Sequence, residues 1–345
     1  MKVGFASTHG GCLYYRAELP CRTLQAHGID ADVPGTYEHK TRGDLAVDPD
    51  AGAIGLPYDG EEWGEVPDVV FLAGAYPAIF GEEQIIAARR TGQIVIADLD
   101  DWPWTPPDNP THDPTIGDRK IAALGAASWV TCSTPYLGAM LDEYLIRHTV
   151  CPNTIDPSRY AAERDANRWE DSVSTRLTIG YRGLLAGFHD EDVKILRGYL
   201  APTAQYVHVG ADPRSDHSFA DLTGIPPQWV EDRQAVDVLE YGAQLVGVDV
   251  AVCPYARRPA SQAKSPIAVF EWIAAGVPVA AVDHPQLPSI EAPLLPGFLK
   301  LMRQRERRAA LWEDQWADLE DYIVRQELDP PWLEALNLAT AAHRS

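Results

Sequence analysis

The stretch that decides the fold is Ala263-Lys-Ser-Pro-Ile-Ala-Val-Phe-Glu271, which continues as Trp272-Ile-Ala-Ala-Gly-Val-Pro-Val-Ala280. Its first part predicts a helix, and its apolar end predicts a strand. A helix that runs straight into an apolar strand is the repeating unit of a sheet flanked by helices. Lys264, Ser265 and Glu271 put a cation, a hydroxyl and a carboxylate around that helix. This layout suits a nucleoside diphosphate.

Short apolar runs alternate with helical stretches in both halves of the chain. In the first half we predict strands at residues 3–7, 69–73, 94–98 and 129–133, and helices near residues 13–27, 82–90, 118–124 and 135–144. In the second half we predict strands at residues 177–181, 206–209, 248–253 and 277–282, and helices near residues 191–200, 236–245 and 266–275. Gly28 is the expected stop of the first helix, and Pro20 predicts a kink or a late start within it.

This order of elements predicts an α/β protein with two doubly wound, Rossmann-like domains and a long C-terminal helix. A segment with Pro and Asn at residues 151–157 separates the two series. We place the domains at residues 1–155 and 156–300, followed by a helical segment at residues 301–345 that packs back toward the first domain. Ligands of such sheets bind beyond the carboxyl ends of the strands, so the cleft between the domains is the predicted site.

The C-terminal helix is predicted over residues 301–326. Trp312, Trp316, Leu319 and Ile323 recur in it at spacings of four, three and four residues. That spacing predicts a buried apolar stripe, and we interpret the segment as a packing helix.

The composition is that of an acidic globular protein. The chain has 345 residues, of which 46% are hydrophobic, and a formal net charge of −21. This charge argues against a broad electrostatic grip on nucleic acid or on an anionic membrane. No window approaches the ~20 apolar residues of a membrane span, and the first apolar run is too short for a signal peptide, so we predict a cytoplasmic protein without stable membrane insertion. The five scattered cysteines are expected to be reduced, and the histidines show no metal spacing, so no metal site is predicted.

Paired glycines lie where the first strand passes into the first helix. Gly10 and Gly11 would let backbone N–H groups approach a ligand, and the start of the helix favours negative charge, so a phosphate or a sugar could bind there. A tight turn without a ligand explains the pair equally well. The pattern matches neither a dinucleotide-binding nor a P-loop motif. Tyr15 and Arg16 follow as candidate substrate-binding residues, and they face either the cleft or the core according to the helix phase.

Three carboxylates and two indoles follow the strand at residues 94–98. Asp98, Asp100 and Asp101 stand at its carboxyl end, where they could accept a proton, orient an acceptor hydroxyl or hold a metal. They are the candidate catalytic residues, although aspartate is also a common turn former and helix cap. Trp102 and Trp104 either stack on a sugar or pack in the core.

The second domain contributes candidate nucleotide-binding residues. Arg182 follows its first strand and would clamp a phosphate, unless it is an ordinary surface arginine. Lys264 and Ser265 precede or open the helix at residues 266–275, where a lysine and backbone amides suit a diphosphate. Glu271 lies about two turns later and can accept two hydroxyl hydrogens from a ribose.

These residues resemble the GT-B glycosyltransferases, in the large retaining group that uses nucleotide sugars and is similar to glycosyltransferase family 4. The likeness covers most of the chain, and the Asp98-Leu-Asp-Asp101 segment is similar to a variant found among bacteriophage and bacterial members. The motifs that carry it are the opening glycine loop with Tyr15-Arg16 and Leu19-Pro20, Ser133-Thr-Pro-Tyr-Leu, Pro152-Asn153 with Ile155-Asp156, Ile179-Gly-Tyr-Arg-Gly183, and Lys264-Ser265 through Glu271 to Gly276-Val-Pro-Val. The resemblance implies that residues 1–155 serve the acceptor and residues 156–300 the nucleotide sugar.

The chain departs from the family's pattern at three places. Ala263 stands where relatives often have the first of two glutamates, so nucleotide binding carries over better than recognition of the sugar. Arg182 lacks the lysine that usually follows five residues later, and Lys264 could supply that charge. A histidine common among relatives near residues 94–98 is replaced by the aspartate cluster. The family implies no metal and no other cofactor, because arginine, lysine and helix dipoles neutralise the leaving diphosphate.

The predicted function is transfer of a sugar from a UDP- or GDP-linked nucleotide sugar to a hydroxyl acceptor, with retention of anomeric configuration. Hexosyl and pentosyl transfer stay open, as do glycan, protein and modified-DNA acceptors, with nucleic acid possible only as an acceptor. A nucleotide-sugar epimerase of the same fold is one alternative, which would turn over the donor without an acceptor. A non-catalytic scaffold that keeps only the nucleotide pocket is the other.

Overall fold

The computed structural model describes residues 1–7, 13–33, 46–47, 54–55, 57–58, 62–63, 66–73, 81–104, 114–167, 176–183, 193–194, 196–197, 204–211, 218–234, 236, 240–254, 259–281 and 302–344. Its contacts divide the chain into two units. The first consists of Met1–Thr154, Ala263–Ser265 and Arg325–Ser345, and the second of Ile155–Gln262 and Pro266–Val324.

The first unit is built on a parallel sheet of six strands. They are β1 (Lys2–Ser7), β2 (Asp30–Asp32), β3 (Val69–Ala73), β4 (Ile94–Leu99), β5 (Trp129–Cys132) and β6 (His148–Val150). Their order is β6-β5-β4-β3-β1-β2, and every neighbouring pair is parallel. The strand order therefore reverses between β1 and β3, the kind of position at which such sheets bind ligands. Two small antiparallel pairs join residues 46–47 to 54–55 and residues 57–58 to 62–63.

The second unit has a parallel sheet of five strands. They are β7 (Thr178–Arg182), β8 (Gln205–Ala211), β9 (Val230–Gln234), β10 (Val250–Cys253) and β11 (Val279–Ala281). The order is β9-β8-β7-β10-β11, with all pairs parallel. Here the strand order reverses between β7 and β10, so the carboxyl end of β7 is the expected ligand position of this unit.

Helices connect the strands, as expected of parallel sheets. The α-helices of the described residues are α1 (Leu19–Ala26), α2 (Glu82–Arg90), α3 (Pro114–Ala126), α4 (Pro135–Glu143), α5 (Ala161–Ala166), α6 (Phe219–Thr223), α7 (Pro259–Ala263), α8 (Ile267–Ala274), α9 (Arg305–Leu328) and α10 (Pro331–Arg344). A π-helix at Leu13–Glu18 leads into α1, and short 3₁₀ helices lie at Pro157–Tyr160, Pro227–Trp229 and Gly242–Leu245.

Alternate residues of β3 point to the two faces of the first sheet and pack into two separate cores. Val70 and Leu72 pack with side chains of α2, α3 and α4. Val69 and Phe71 pack with α1 and with α10, from the end of the chain. All residues of β3 are buried, as expected of a central parallel strand.

The long helix α9 covers one face of the second sheet and its edge. Leu319 is buried in the same core as α8, and Trp312 and Trp316 pack against that core, which confirms the predicted stripe. The Trp312 indole N–H donates to the carbonyl of Ile273 at 2.8 Å. Gln315 pairs with both backbone groups of Val279, at 2.9 Å to its N–H and 2.8 Å to its carbonyl, and thereby protects the edge strand β11.

Gly276 makes the turn from α8 to β11. Its φ of +87° lies in the left-handed region, and a Cβ at this position would be 3.1 Å from the Cα of Arg164. Both the backbone angle and the close neighbour require glycine, which explains this residue in the stretch that runs from helix to strand.

Most of the predicted elements are confirmed. The bounds of β3 and α2 agree with the prediction, and α1 starts late, with Pro20 in its first turn. The helix predicted near residues 118–124 is longer, at Pro114–Ala126. Of the helix predicted at residues 191–200, only 193–194 and 196–197 are described, and they are helical.

The helix predicted at residues 236–245 is wrong in its described part. The structure has a turn followed by the 3₁₀ helix Gly242–Leu245. Gly242 weakens a helix. In addition, the guanidinium of Arg233 in β9 donates to the carbonyls of Gln244 and Val246 at 2.6 and 2.8 Å. These carbonyls therefore accept tertiary hydrogen bonds.

Two further expectations concern membranes and thiols. Among the described residues, no helix has the length and apolar character needed to cross a membrane.

The thiols of the described cysteines are buried, as expected; these are Cys21, Cys132, Cys151 and Cys253. Cys12 lies outside the described residues. Burial raises the pKa of Cys132 to about 12, so this thiol stays protonated at physiological pH.

The C-terminal helix α10 should be essential to the first unit. Trp332 is buried against Phe5 and Phe71, with ring centroids 6.2 and 5.8 Å apart. We expect Trp332→Ala to lower the free energy of unfolding by about 3–5 kcal/mol, because it leaves a large cavity. Urea unfolding followed by circular dichroism measures this loss. Leu338→Ala on the exposed side of the same helix should stay within about 0.5 kcal/mol. Equal losses in the two variants would contradict this role of Trp332.

Candidate functional site

A buried arginine organises the carboxyl ends of the strands in the first unit. Arg16 lies in the π-helix after β1 and has no exposed surface. Its guanidinium donates to both oxygens of Asp98, with Nε 3.0 Å from Oδ2 and Nη2 in close contact with Oδ1. Nη1 donates to the carbonyl of Cys151 at 2.5 Å and to Oδ1 of Asn153 at 3.0 Å. Trp332 stacks on the guanidinium at 4.5 Å. The buried charge is thus surrounded by acceptors and an aromatic face.

Asp98 serves as the counter-ion of Arg16. It lies in β4 with no exposed surface, and it also accepts a hydrogen bond of 2.7 Å from the hydroxyl of Thr131 in β5. Burial alone would lower the pKa of Arg16, but the charge and hydrogen bonds of Asp98, together with the charge of Asp100, raise it above its ordinary value. Arg16 is therefore held in its charged form, and the carboxylate of Asp98 is committed to it.

Asp100 differs from Asp98 because part of its side chain, 23%, is exposed. Its Oδ1 accepts a hydrogen bond of 3.1 Å from Asn153 and lies 3.9 Å from Nε of Arg16. Burial raises the pKa of Asp100; Arg16 opposes this rise, and the charges of Asp98 and Asp101 add to it. A carboxylate that solvent can reach and that holds its proton more tightly than usual suits proton transfer or the orientation of a hydroxyl.

Asp101 is exposed and forms an ion pair with Lys264. Each of these side chains is 52% exposed, and Nζ of Lys264 is in close contact with Oδ2 of Asp101. Oδ1 of Asp101 accepts the backbone N–H of Trp102 at 2.8 Å. The carboxylate of Asp101 also acts on a second lysine, Lys120 of α3. Burial lowers the pKa of Lys120, and the charge of Asp101 opposes this shift only in part. An exposed ion pair contributes little stability, so another anion can replace Asp101 at Lys264 at small cost.

Asn153 connects the carboxylates to the segment that carries Lys264. Its side-chain N–H group donates to Asp100 and, at 2.8 Å, to the hydroxyl of Ser265. The same segment is held at Ala263, whose carbonyl accepts from the hydroxyl of Thr134 at 3.4 Å. Ser265 is thus fixed in the first unit by a hydrogen bond to the residue that also contacts Asp100.

A second arginine cluster lies at the carboxyl end of β7. Arg182 is the last residue of this strand, where the strand order of the second unit reverses. Its Nη1 is 2.5 Å from Oε2 of Glu271, and its Nε donates to the hydroxyl of Tyr241 at 2.6 Å. The hydroxyl of Tyr160 donates to Oε1 of Glu271 at 3.1 Å. Because 20% of the Arg182 side chain is exposed and Glu271 is fully buried, Arg182 is the charge of this pair that an anion can reach.

Tyr241 packs under the guanidinium of Arg182, with its ring centroid 4.5 Å from the central carbon. Burial raises the pKa of the Tyr241 phenol well above its ordinary value, although the charge of Arg182 opposes the rise. Burial also raises the pKa of the nearby Cys253 thiol to about 12. Neither group therefore adds a charge to the pair of Arg182 and Glu271 at physiological pH.

The helix α8, which carries Glu271, begins with an open N-terminus. Pro266 is its N-cap, and no side chain among the described residues caps it. The first hydrogen bonds inside the helix run from the N–H groups of Val269 and Phe270 to the carbonyl of Pro266. The N–H groups before them form the positive end of the helix dipole, which suits a phosphate.

The structure places the sequence-predicted residues in two groups. Within the first unit lie Tyr15, Arg16, Asp98, Asp100, Asp101, Lys264 and Ser265, and within the second lie Arg182 and Glu271. Gly10 and Gly11 lie outside the described residues. Tyr15 and Arg16 are both buried, which decides the helix phase that the sequence left open.

The two indoles after the aspartates pack against the core of the first unit. The ring centroids of Trp102 and Trp104 are 5.0 Å apart, and both rings pack against the buried cluster around β4. Both side chains are half-buried, so they pack on this cluster and keep an exposed part. Among the described residues, no group of three or more His, Cys, Asp or Glu side chains is arranged to hold a metal ion.

Sequence reasoning missed three residues of these clusters. Asn153 is part of the Pro152-Asn153 motif, but no function was predicted for it from the sequence. In the structure its side chain contacts Arg16, Asp100 and Ser265. Tyr160 has no local signal, since it is 111 residues away from its partner Glu271. Tyr241 falls in the segment that was wrongly predicted as helix, so its contact with Arg182 could not be anticipated.

Comparison with known proteins gives the fold. No family model matches the chain. In sequence it is 26% identical over 199 residues to TuaH of Bacillus subtilis (strain 168), which is named as a glycosyltransferase of teichuronic acid biosynthesis. That match covers 54% of this chain and 48% of TuaH, so it spans about half the length of this relative.

Solved structures match along more of the chain. Sucrose-phosphate synthase from Thermosynechococcus elongatus has a TM-score of 0.66 at 13% identity, covering 99% of this chain and 100% of that one. HepE from Anabaena, in complex with UDP and glucose, has a TM-score of 0.60 at 14% identity, covering 93% of this chain and 95% of that one. The chain has the GT-B fold. The predicted fold class is thereby confirmed, and the two parallel sheets are those of a GT-B protein.

The stability of the first GT-B unit should depend on the charge of Asp98. Asp98→Asn keeps the shape of the side chain but leaves Arg16 buried without its counter-ion. We expect a loss of about 3–5 kcal/mol in the free energy of unfolding, measured by urea titration. Asp142→Asn is the matched control, because this carboxylate is 75% exposed, and its effect should stay within about 0.5 kcal/mol. Similar stabilities of the two variants would refute the structural role of Asp98.

Asp100 should titrate at a higher pH than an ordinary aspartate. Asp101→Asn removes a like charge beside Asp100, and this change lowers the pKa of Asp100. Carbon-13 NMR of the carboxyl groups measures the shift, with Asp142→Asn as the control that leaves it unchanged. Because its pKa is raised in the folded state, Asp100 costs stability as the pH rises through that pKa, and Asp101→Asn should reduce the cost. An unchanged or higher pKa of Asp100 in the Asp101→Asn variant would count against this electrostatic account.

Proposed function

We propose that the protein is a glycosyltransferase, which moves a sugar from a nucleoside diphosphate sugar to a hydroxyl acceptor. The observation that carries this proposal is the pair of Arg182 and Glu271 at the end of β7, with Glu271 on a helix whose N-terminus is uncapped among the described residues. A guanidinium and backbone amides are the groups that bind a diphosphate, and a carboxylate is the group that binds ribose hydroxyls. The GT-B fold and the sequence similarity to TuaH support the same reaction class.

Uridine diphosphate is the nucleotide that we propose. HepE, which shares the fold, was solved in complex with UDP and in complex with UDP-glucose. A trehalose-phosphate synthase from Burkholderia xenovorans, with a TM-score of 0.52 at 11% identity and covering 79% of this chain and 74% of that one, is described as UDP-forming. GDP is the alternative nucleotide that a binding experiment separates from UDP.

Nucleotide binding would exchange partners within the arginine cluster. In the structure Glu271 is satisfied by Arg182 and Tyr160. A diphosphate that reaches the exposed part of Arg182 would bind its guanidinium in place of Glu271. The ribose hydroxyls would then donate to Glu271 in place of Arg182. This exchange keeps the buried carboxylate hydrogen-bonded at every stage, which avoids the cost of an unpaired buried charge.

The leaving diphosphate would be stabilised by charges that are already in place. As the bond from the sugar to the diphosphate breaks, negative charge develops on the phosphate oxygen, and Arg182 and the first amides of α8 would stabilise it. Lys264 is a further candidate for this role, because its exposed pair with Asp101 costs little to break. We further propose transfer of a hexose or pentose with retention of configuration and without a metal, as in the group that the sequence resembles.

The acceptor hydroxyl is assigned to Asp100. Asp98 is committed to Arg16, and Asp101 is paired with Lys264, whereas Asp100 combines partial exposure with a raised pKa. Its carboxylate would orient the acceptor by accepting the hydroxyl hydrogen. Ordinary glycan hydroxyls are the proposed acceptor class, and the strong negative charge of the chain counts against a DNA acceptor.

Product analysis separates this proposal from its two alternatives. Incubation of the protein with UDP-glucose alone gives an epimerised sugar nucleotide if the protein is an epimerase. Incubation with UDP-glucose and a panel of glycan acceptors gives UDP and a new glycoside if it is a glycosyltransferase. Binding of UDP without turnover in either reaction would favour the scaffold function.

The roles of Arg182 and Glu271 can be tested with paired ligands. Arg182→Ala should weaken UDP binding by about tenfold or more in isothermal titration calorimetry and should leave uridine binding nearly unchanged, because uridine has no diphosphate. Glu271→Gln should reduce the preference for UDP over 2′-deoxy-UDP, because that preference depends on the ribose hydroxyl. Comparison of the two ligand pairs isolates the diphosphate contact from the ribose contact.

Arg305→Ala, on the exposed first turn of α9, is the matched control and should bind all these ligands like the wild type. If neither UDP nor GDP binds the wild-type protein, the proposed function is wrong. If Arg182→Ala loses uridine and UDP to the same extent, the arginine does not contact the diphosphate.

A further inference from the structure

His208 is a buried histidine of β8 that the nucleotide-binding cluster does not use. Its ring has no exposed surface. Nδ1 lies 2.8 Å from Oδ1 of Asp232 in β9, and Nε2 lies 2.9 Å from the carbonyl oxygen of Gly183. The ring is stacked with Tyr181 of β7 and Phe219 of α6, at centroid distances of 5.7 and 5.2 Å. Tyr181, His208 and Asp232 are neighbours across three adjacent strands, so this contact belongs to the sheet itself.

Both partners of the ring are acceptors. Asp232 offers a carboxylate oxygen and Gly183 a backbone carbonyl, whereas a neutral imidazole carries a single N–H donor. The two contacts are therefore both hydrogen bonds only when the ring is an imidazolium. Asp232 offsets the charge of that imidazolium, which makes its burial possible.

Gly183 is the residue that follows Arg182. Its N–H donates to the carbonyl of Val209 at 3.0 Å, and its carbonyl accepts from His208, so both of its backbone groups are tied to β8. Its φ of +151° is an angle that side chains rarely adopt, and a Cβ here would lie 2.6 Å from the hydroxyl oxygen of Tyr181. Gly183, the residue immediately after the arginine, is thus held in one backbone conformation.

We propose that His208 is a positioning residue for Arg182. Successive side chains of a strand point to opposite faces, so Arg182 meets Glu271 and Tyr241 on one face while His208 holds the next peptide from the other. The imidazolium fixes the backbone on which the guanidinium is mounted. This inference rests on the proposed function, in which Arg182 binds the diphosphate.

The proposal makes the geometry of the diphosphate site dependent on pH. The groups packed against the ring are the carboxylate of Asp232 from β9, the phenol of Tyr181 from β7, the apolar ring of Phe219 from α6 and the Gly183 carbonyl. After loss of one ring proton, a nitrogen lone pair faces either the carboxylate of Asp232 or the carbonyl of Gly183. Repulsion between the lone pair and the carbonyl oxygen would release Gly183. Diphosphate affinity should therefore be lower when the ring carries a single N–H than when it is an imidazolium.

The test is the affinity of UDP, measured from about pH 5.5 to about pH 8.5, for the wild type and for two substitutions. His208→Gln places an amide donor near the position of Nε2, which can hold the Gly183 carbonyl without a titrating proton. His208→Asn is too short to reach that carbonyl. Because the terminal phosphate of the ligand also titrates near pH 6, the measured quantity is the ratio of wild-type to variant dissociation constants at each pH. His148→Gln is the matched control, a strand histidine of the first unit whose Nδ1 lies 3.8 Å from Asp142.

We expect the ratio of the wild-type to the His208→Gln dissociation constant to rise by about fivefold to tenfold as the pH is raised, because only the wild type has a proton to lose at this position. His208→Asn should bind UDP weakly at every pH, and His148→Gln should follow the wild type. A constant ratio for His208→Gln would overturn the proposal, as would a folded His208→Asn variant with wild-type affinity. If His208→Asn fails to fold, the pH profile of His208→Gln decides.

A second measurement separates this inference from the proposed function. Nitrogen-15 NMR of histidine-labelled protein at about pH 6 should show hydrogen on both ring nitrogens of His208, as the two acceptors require. A ring with a single N–H at that pH overturns the clamp, whatever the protein binds. If the wild type binds no nucleoside diphosphate at any pH, the proposed function fails, and the NMR result alone then decides whether His208 holds Gly183.

Discussion

The first unit depends on the burial of one positive charge. A guanidinium removed from water is tolerated only when its donors are satisfied and its charge is offset. At Arg16 this requirement brings together the π-helix after β1, Asp98 at the end of β4, Asn153 after β6, and Trp332 of α10. These segments meet at the carboxyl end of the sheet, where GT-B sheets and their doubly wound relatives bind ligands. Since Asn153 also donates to Asp100, the contacts that satisfy the charge also position the candidate catalytic carboxylate.

The arginine cluster of the second unit differs from that of Arg16, because one of its two charges is accessible to solvent. Arg182 keeps an exposed portion while Glu271 has none. A buried ion pair of this kind contributes little to stability compared with apolar residues of the same volume. Its position at the reversal of strand order, beside the uncapped start of α8, therefore favours a role in binding over a role in folding. Tyr160 and Tyr241 hold the two charges in place through hydrogen bonds, and burial keeps Tyr241 neutral. The positive field at the opening therefore comes from the arginine and the helix.

Much of this architecture could be predicted from the sequence, because it follows from local patterns. The predicted bounds of β3 and α2 agree with the structure, and the helix that carries Glu271 was expected next to an apolar strand. What could not be predicted depends on contacts between distant residues. Arg233 donates to a carbonyl in the segment after Gly242. Arg16 pairs with Asp98, one of the three candidate aspartates, which is 82 residues away in the sequence. Side-chain spacing along the chain carries no information on such pairings.

The three aspartates show how one short motif acquires three roles from its position at the end of a strand. Asp98 and Asp100 point to the same side of the chain, but β4 ends at Leu99, so Asp100 lies beyond the sheet and reaches solvent. Exposure of the three side chains rises from 0% to 23% to 52%. Asp98 and its partner Arg16 are both fully buried, so no ligand can reach that pair. The half-exposed Asp101 is held mainly by a surface ion pair, which positions it poorly. Asp100 alone of the three combines access with a fixed orientation, because Asn153 holds it from the buried side. The end of the strand therefore separates the structural carboxylate from the candidate catalytic one.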